Sequence, residues 1–230
     1  MMKSKLLAAV AVAVAALIAP ATASGAGNAT VVNVAGESAY TTFISQSECI
    51  KTAVGIVAAH EITQNVPGEP DLVTTAFIRV AQSNICNETE LSDYRGGSRL
   101  LDEDTFQLLG RARTANFTTT DFILTNILSP FDELAVNVDV TWSGEGELGR
   151  NRNINQNIEI APDCNLTFQG TAVFRHAPAL GSVVDVETGT NYTPGPSEDE
   201  FDPDEEEDPS QIGLFRSATL NIGACSGLQL

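Results

Sequence analysis

The glutamates Glu145 and Glu147 are paired carboxylates of the kind that could carry out catalysis. In glycoside hydrolases, two carboxylates that flank a sugar act as acid and base. Both residues lie in the stretch 143–149, directly after Trp142, where three glycines leave the separation of the two side chains unfixed. A secreted carbohydrate-active hydrolase, with Asp139 or a histidine completing the pair, is therefore an alternative and not the expected function.

The histidines His60 and His176 are the other residues that could act as an acid or a base. His60 ends an expected strand beside Glu61, and His176 follows Arg175 at the end of another. A histidine in such a place usually bonds to backbone or water. The sequence contains no Gly-x-Ser-x-Gly elbow and no phosphate-binding glycine loop. We therefore expect no enzymatic activity and assign no catalytic residue.

Tyrosine and arginine side chains in two expected loops offer binding chemistry instead. Tyr94 lies in the stretch 92–98 with Arg95 and Arg99 close behind it, and Tyr192 precedes Thr193 and Pro194 in a second loop. Aromatic rings in loops can stack on sugars or on a partner surface, and loops carry function at little cost to the core. Tyr94, Arg95, Arg99 and Tyr192 are the candidate binding residues, although an ordinary surface residue is the favoured interpretation of each tyrosine.

A strongly acidic segment interrupts the C-terminal part of the chain. Residues 193–210 carry nine of the 30 acidic residues and no basic one. Mutual repulsion and four prolines predict a flexible, solvated loop over 194–210. The alternative is weak calcium binding through Asp202, Asp204 and Glu206, because calcium prefers clustered oxygen ligands. The spacing matches no EF-hand loop, so we expect no cofactor, with weak calcium binding as the exception.

The four cysteines are expected to form two disulfides. An even number of cysteines in an exported protein favours disulfide pairing over metal binding or nucleophilic chemistry. Cys49 and Cys86 flank two apolar runs whose midpoint falls on the turn pair Pro67-Gly68. Two antiparallel strands about that turn would bring the cysteines to the same open end. The same reasoning predicts a Cys164–Cys225 disulfide.

The N-terminus and the net charge predict where the protein acts. Lys3 and Lys5 precede an apolar stretch over residues 6–19, and small residues follow up to Ala23. This pattern is typical of a secretory signal peptide over 1–23, which leaves 24–230 as one mature domain with no membrane span. A formal net charge of −18 argues against binding to nucleic acid or to anionic membranes. We expect a secreted, extracellular protein.

The elements that must position these residues are strands. Leu134, Val136, Val138, Val140 and Trp142 alternate with polar residues, which indicates a strand with one buried face. Further strands are expected near 31–34, 38–45, 50–59, 72–82, 105–113, 115–124, 154–160, 164–174, 182–187 and 214–222. Many short strands separated by turns indicate an antiparallel sandwich or a closed sheet. We expect an all-β sandwich, Greek-key or immunoglobulin-like, with about eight to ten strands.

The C-terminal half resembles a group of secreted bacterial β-rich proteins of uncharacterised function. The resemblance rests on the strand ending at Trp142, on the stretch 174–181 and on the proline-serine stretch 189–197. It implies export and a β-rich fold, and it brings no activity, ligand or site residue. The expected function is a non-catalytic extracellular or cell-envelope interaction or structural protein with an unknown cell-wall or extracellular partner. A calcium-dependent adhesion module is a further alternative.

Overall fold

The protein is almost entirely antiparallel β-sheet. A computed structural model describes residues 30–64, 73–129, 131–149, 152–161, 164–197 and 210–222. Within these ranges the chain forms eleven strands, one more than the upper end of the expected number, and one 3-10 turn at Glu103–Thr105. The strands are β1 (Thr30–Ser47), β2 (Ile50–Gln64), β3 (Val73–Asn84), β4 (Thr89–Leu101), β5 (Phe106–Leu109), β6 (Thr114–Asn126), β7 (Glu133–Ser143), β8 (Arg152–Ala161), β9 (Cys164–His176), β10 (Ala179–Asp185) and β11 (Gln211–Ile222). The signal-peptide prediction and most of the acidic segment lie outside the described residues.

Most expected strands are present, but two expectations about local structure were wrong. The stretch 92–98 is part of β4 and not a loop, since β4 pairs with β3 along most of its length. Its glycines hide the strand pattern, and Gly96 is required because a Cβ there would collide with the carbonyl oxygen of Ile123. The expected strand 105–113 ends at Leu109, where Gly110, Arg111 and Ala112 adopt positive φ and turn the chain.

All eleven strands belong to one hydrogen-bonded sheet. Its order is β10-β7-β6-β4-β3-β2-β1-β11-β9-β8, with β5 added beside β6. The β4–β6 connection is narrow and consists of the pairs Tyr94↔Asn126 and Arg95↔Thr125. The sheet therefore has two parts. The small part contains β5, β6, β7 and β10, and the large part contains β4, β3, β2, β1, β11, β9 and β8.

A long bent ribbon connects these two parts a second time. β7 continues through residues 144–149 towards β8, and β9 continues through 177–178 into β10. Backbone bonds keep the two lines paired across the bend, from the Glu145 nitrogen to the His176 oxygen and from the Gly149 nitrogen to the Phe174 oxygen, both 2.8 Å. The glycine-rich stretch 143–149 is thus the corner of a ribbon that joins both ends of the strand order.

The buried core draws on strands from both parts of the sheet. The alternation predicted for β7 is confirmed, because its apolar residues are buried while Asn137 and Asp139 are exposed. Trp142 is fully buried, and its Nε1 donates to the backbone oxygen of Tyr40 in β1 at 2.9 Å. β7 and β1 are five places apart in the strand order, so this bond joins distant strands across the interior. Each fully buried aliphatic side chain contributes roughly 1.5–3 kcal/mol.

The Cys49–Cys86 disulfide is confirmed. The Cα atoms are 5.3 Å apart, because β2 and β3 pair from Ile50↔Asn84 onwards and bring both cysteines to the same end. Closing a loop of 37 residues stabilises the fold by about 4 kcal/mol in the chain-entropy model. Cys225 lies outside the described residues, so the Cys164–Cys225 disulfide stays a prediction. None of the described residues forms a helix long and apolar enough to cross a membrane.

Candidate functional site

Tyr94 lies beneath the turn between β6 and β7 and holds that turn in place. Its side chain packs against the core, and its hydroxyl donates to Oδ2 of Asp132 at 2.8 Å. The amide of Asn126 donates to the same oxygen at 2.9 Å. Burial, the Asp132 carboxylate and the nearby Tyr192 raise the pKa of Tyr94 to about 12. Tyr94 is therefore a neutral donor at ordinary pH, and its hydroxyl is committed to Asp132.

The turn itself, residues 126–132, is held by a dense set of bonds. The side-chain oxygen of Asn126 accepts from the backbone nitrogens of Asp93 and Leu128 at 3.3 and 3.0 Å. The Ile127 nitrogen donates to the Asp93 oxygen at 2.9 Å, and the Asn126 nitrogen donates to the Asp132 oxygen at 2.8 Å. Hydrogen bonds from Asn126 and Tyr94 lower the pKa of Asp132. We call the described residues 127–129 and 131 the tip.

Tyr192 stabilises a second turn near Tyr94. Oδ1 of Asp185 accepts from the nitrogens of Glu187 and Thr188 at 2.8 and 3.1 Å, which closes the turn after β10. The Tyr192 hydroxyl donates to Asp185 Oδ2 at 3.5 Å. Burial raises the pKa of Asp185, but bonds from Thr188, Glu187 and Tyr192 outweigh it, so the net shift is downward. Burial and Asp185 raise the pKa of Tyr192.

Arg95 does not share a site with Tyr94, because neighbouring residues in a strand point to opposite faces of the sheet. Arg95 turns to the outer face, where its Nη2 donates to Asp93 Oδ2 at 2.6 Å. Arg79 donates to the same carboxylate through Nε and Nη2 at 2.6 and 2.7 Å. Arg99 pairs with Thr75 in the β3–β4 register, and its side chain lies outside the described part of the chain. Tyr94 and Arg95 therefore do not form the single patch that was expected of them together with Arg99.

The most distinctive exposed feature is a set of large apolar side chains at one end of the strands. This is the end towards which β1, β3, β6 and β10 run, and it contains the disulfide. We define the apolar patch as Ile85, Leu91, Ile127, Leu128, Phe131 and Val186, all exposed. Phe131 is completely exposed, with a relative accessibility of 101%. Isolated exposed apolar residues are ordinary, but several large ones gathered on neighbouring turns indicate a contact surface.

Carboxylates accompany this patch. The turns and strand ends that carry it also carry Glu48, Glu88, Glu90, Glu133 and Glu187, all of them exposed. Lys51 is the single basic residue in the described stretches 46–51, 84–91, 126–133 and 185–190. Among the described residues, the opposite end is mixed in sign, because Arg111, Arg113 and Arg175 lie there with Glu103, Glu145 and Glu147.

Sequence reasoning missed the tip and its supports. The signal was present in the stretch 126–133, where Asn126, Ser129-Pro130 and Asp132 are turn-forming residues around three large apolar ones. A turn that displays apolar residues departs from the usual polar composition. That departure is the sequence signal by which the tip could have been found.

The catalytic candidates come together in one pair. Nδ1 of His176 lies 3.9 Å from Oε2 of Glu145 at the ribbon corner, with side-chain accessibilities of 37% and 64%. Glu147 is exposed nearby in the same stretch, whereas Asp139 lies six residues before Glu145 and accepts a long bond from Thr118, 3.5 Å. The Glu145–His176 pair is therefore an exposed surface contact.

The side chain of His60 contacts residues of three neighbouring elements. Its Nε2 lies 3.3 Å from the Glu103 oxygen, its Nδ1 lies 3.6 Å from Oε1 of Glu37, and its ring packs edge-on against Phe106. Both ring nitrogens face partners from neighbouring elements. His60 therefore anchors the 3-10 turn at Glu103–Thr105 to β2.

The proposed calcium ligands Asp202, Asp204 and Glu206 lie outside the described residues. Among the residues that are described, no group of three or more His, Cys, Asp or Glu side chains is arranged to hold a metal ion. Comparison of the chain with protein families, curated proteins and solved structures finds no match.

Proposed function

We propose that this is a secreted, non-catalytic protein of the extracellular space or cell envelope that acts by binding a partner through the apolar patch. The observation that carries the proposal is the tip, where Ile127, Leu128 and Phe131 are exposed on a turn whose backbone is fixed from both sides. A preorganised loop loses little entropy on binding. Aromatic anchors at such positions provide much of the affinity of protein interfaces.

Two further features support export. The Cys49–Cys86 disulfide persists in oxidising compartments and is rare in the cytosol. The N-terminal pattern of Lys3, Lys5 and the apolar stretch 6–19 is that of a signal peptide. We also propose that the folded sheet is a two-layer, Greek-key-like sandwich, which the contact from Trp142 to Tyr40 across the interior supports.

The test is sedimentation of the mature protein with a bacterial cell-envelope fraction. The double variant Leu128→Ser/Phe131→Ser removes the tip side chains, and Leu180→Ser removes an exposed leucine in β10, 63% accessible, as the matched control. We expect the wild type and the control to pellet with the envelope and the double variant to stay in the supernatant. Equal behaviour of all three proteins would contradict a binding role for the patch.

A carbohydrate-active hydrolase is the second candidate, favoured by the 3.9 Å approach of Glu145 and His176. The high exposure of both side chains speaks against it, because substrate sites are clefts that bury most of the bound molecule. Release of reducing sugar from wall polysaccharide, abolished by Glu145→Gln, would establish it. The calcium-dependent adhesion module rests on the composition of 194–210, and a rise of the melting midpoint with calcium would establish that function.

A further inference from the structure

We infer that the partner of the apolar patch is a protein surface that carries an apolar pocket bordered by lysine and arginine. This inference rests on the proposed function and specifies the chemistry of the partner. Its two parts, the positive border and the apolar pocket, come from different observations at the same end of the molecule.

The positive border follows from the sign of the charges around the patch. Glu90 stands at the start of β4 beside Leu91, and Glu133 begins β7 directly after the tip. Lys51 is the single basic residue in the described stretches at this end, whereas the described residues of the opposite end include arginines as well as glutamates. Carboxylates therefore outnumber basic residues around the patch, and the exposed Arg95, which pairs with Thr125 beside the turn, is already bound to Asp93. A partner surface that covers these carboxylates must carry cations, since like charges that are brought together repel.

The apolar pocket follows from the shape of the tip. Phe131 is wholly exposed, and Leu128 and Ile127 are each 49% accessible on the same short turn. The bonds from Asn126 and Tyr94 fix the ends of the turn, so the side chains project from a rigid base. A projecting aromatic ring gains the most when it enters a complementary pocket and leaves water.

The same charges argue against two other occupants. An anionic bilayer would repel the glutamates that surround the tip. A second copy docked by the same surface would bring the carboxylates around the patch of one copy against those of the other. A cationic partner avoids both costs.

The experiment uses the mature protein and a fluorescently labelled synthetic peptide of 14 lysines and leucines that forms an amphipathic helix, whose apolar face stands in for the pocket and whose lysines stand in for its positive border. A matched peptide has glutamine in place of every leucine, so it keeps the charge and loses the apolar face. Anisotropy titrations are run at about 50 and 300 mM NaCl. We expect the Lys/Leu peptide to bind at least tenfold more tightly than the Lys/Gln peptide, and more weakly at high salt.

Variants assign the contact. Leu128→Ser/Phe131→Ser should lower the affinity for the Lys/Leu peptide at least tenfold. Glu90→Gln/Glu133→Gln should lower this affinity several-fold and reduce its dependence on salt. Leu180→Ser should leave the affinity unchanged. Equal binding of both peptides, or equal loss in Leu180→Ser, would overturn the inference. Unchanged melting midpoints show that each variant is folded.

Two further arms test the other occupants. Flotation with phosphatidylcholine vesicles, with and without phosphatidylglycerol, would overturn the inference if the tip bound lipid more tightly than peptide. Sedimentation equilibrium would overturn it if the protein self-associated and the tip variant did not. One outcome is that the wild type pellets with the envelope fraction, and the tip variant does not, while the Lys/Leu peptide fails to bind. That result would overturn the inferred chemistry of the partner and leave the proposed binding function in place. If neither the envelope fraction nor the peptide binds the protein, the proposed function itself fails.

Discussion

Asp93 is the residue on which the outer face of β3 and β4 depends most. It is buried, with 4% accessibility, between the guanidinium groups of Arg79 and Arg95. Burial raises the pKa of Asp93, but the bonds and charges of Arg79 and Arg95 outweigh that effect and lower it overall. The carboxylate is therefore a charged link between the two strands, and the arginines are structural and not a free anion site.

Removing this carboxylate should destabilise the fold strongly. Asp93→Ala leaves the largely buried Arg79 without a counter-charge and should lower the free energy of unfolding by about 3 kcal/mol, measured by urea denaturation. Arg95→Gln is the control and should cost less than about 1 kcal/mol, because Arg95 is substantially exposed. A smaller loss in Asp93→Ala than in Arg95→Gln would show that the pair with Arg79 contributes little.

The same carboxylate predicts a dependence on acid. Because the folded-state pKa of Asp93 is lowered, its contribution is complete above the ordinary aspartate value of about 4 and is lost as the pH falls through the folded-state pKa. Asp93→Asn should therefore remove part of the decline in stability between pH 5 and pH 2, as measured by thermal melts. An unchanged acid profile would contradict the assignment.

The Tyr94 hydroxyl should control the tip more than the stability of the whole protein. Tyr94→Phe removes the bond to Asp132 while it keeps the ring in the core. We expect faster hydrogen exchange of the Ile127 and Leu128 amides, with little change in the β7 amides. The raised pKa of about 12 means that this bond is complete below the ordinary tyrosine value of about 10 and is lost as the pH rises through 12. Equal exchange in both proteins between pH 7 and 9 would contradict the bracing role.

At the scale of elements, the ribbon corner explains a stretch whose composition suggested chemistry. Position 144 needs a glycine, because the Cβ of any other residue there would lie 2.5 Å from both the Ala112 oxygen and the Arg175 Cδ. Gly144→Ala should therefore lower the free energy of unfolding by about 1–3 kcal/mol through overpacking. Gly55→Ala in β2 is the control, since a Cβ there meets no atom within 4 Å. Equal midpoints in urea for the two variants would contradict the tight packing of the corner.

The elements also show which parts of the fold the sequence could predict. β7 was predictable because alternation from Leu134 to Trp142 reports directly on one buried face, and the first disulfide followed from the hairpin of β2 and β3. β4 could not be predicted, because Gly96 and Gly97 interrupt the alternation of apolar and polar residues. This segment is a strand because its backbone pairs with β3. The corner and the division of Tyr94 from Arg95 depend on contacts between distant strands, which no local pattern records.

At the scale of the whole molecule, the two ends of the strands differ in their charges, in their exposed apolar residues and in the presence of the disulfide. Among the described residues, one end combines the disulfide, the apolar patch and an excess of carboxylates over basic residues, and the other contains the ribbon corner with charges of both signs. The core between them is continuous across β1, β2, β3, β6 and β7. The exposed residues of the apolar patch can therefore vary without change to the residues that hold the sheet together.

The hydrogen bonds that hold the tip predict that the disulfide, although it lies at the same end, stabilises the molecule without shaping the tip. Cys49→Ser/Cys86→Ser should lower the free energy of unfolding by about 4 kcal/mol and the melting midpoint by about 8–16 °C. The tip is braced by Asn126, Tyr94 and Asp132 and not by the cysteines. Well below its midpoint, the variant should therefore bind the Lys/Leu peptide within about twofold of the wild type in the same anisotropy titration. If the folded variant no longer binds the peptide, the β1–β2 and β3–β4 turns form one unit with the tip. The disulfide is then part of the surface that binds the peptide.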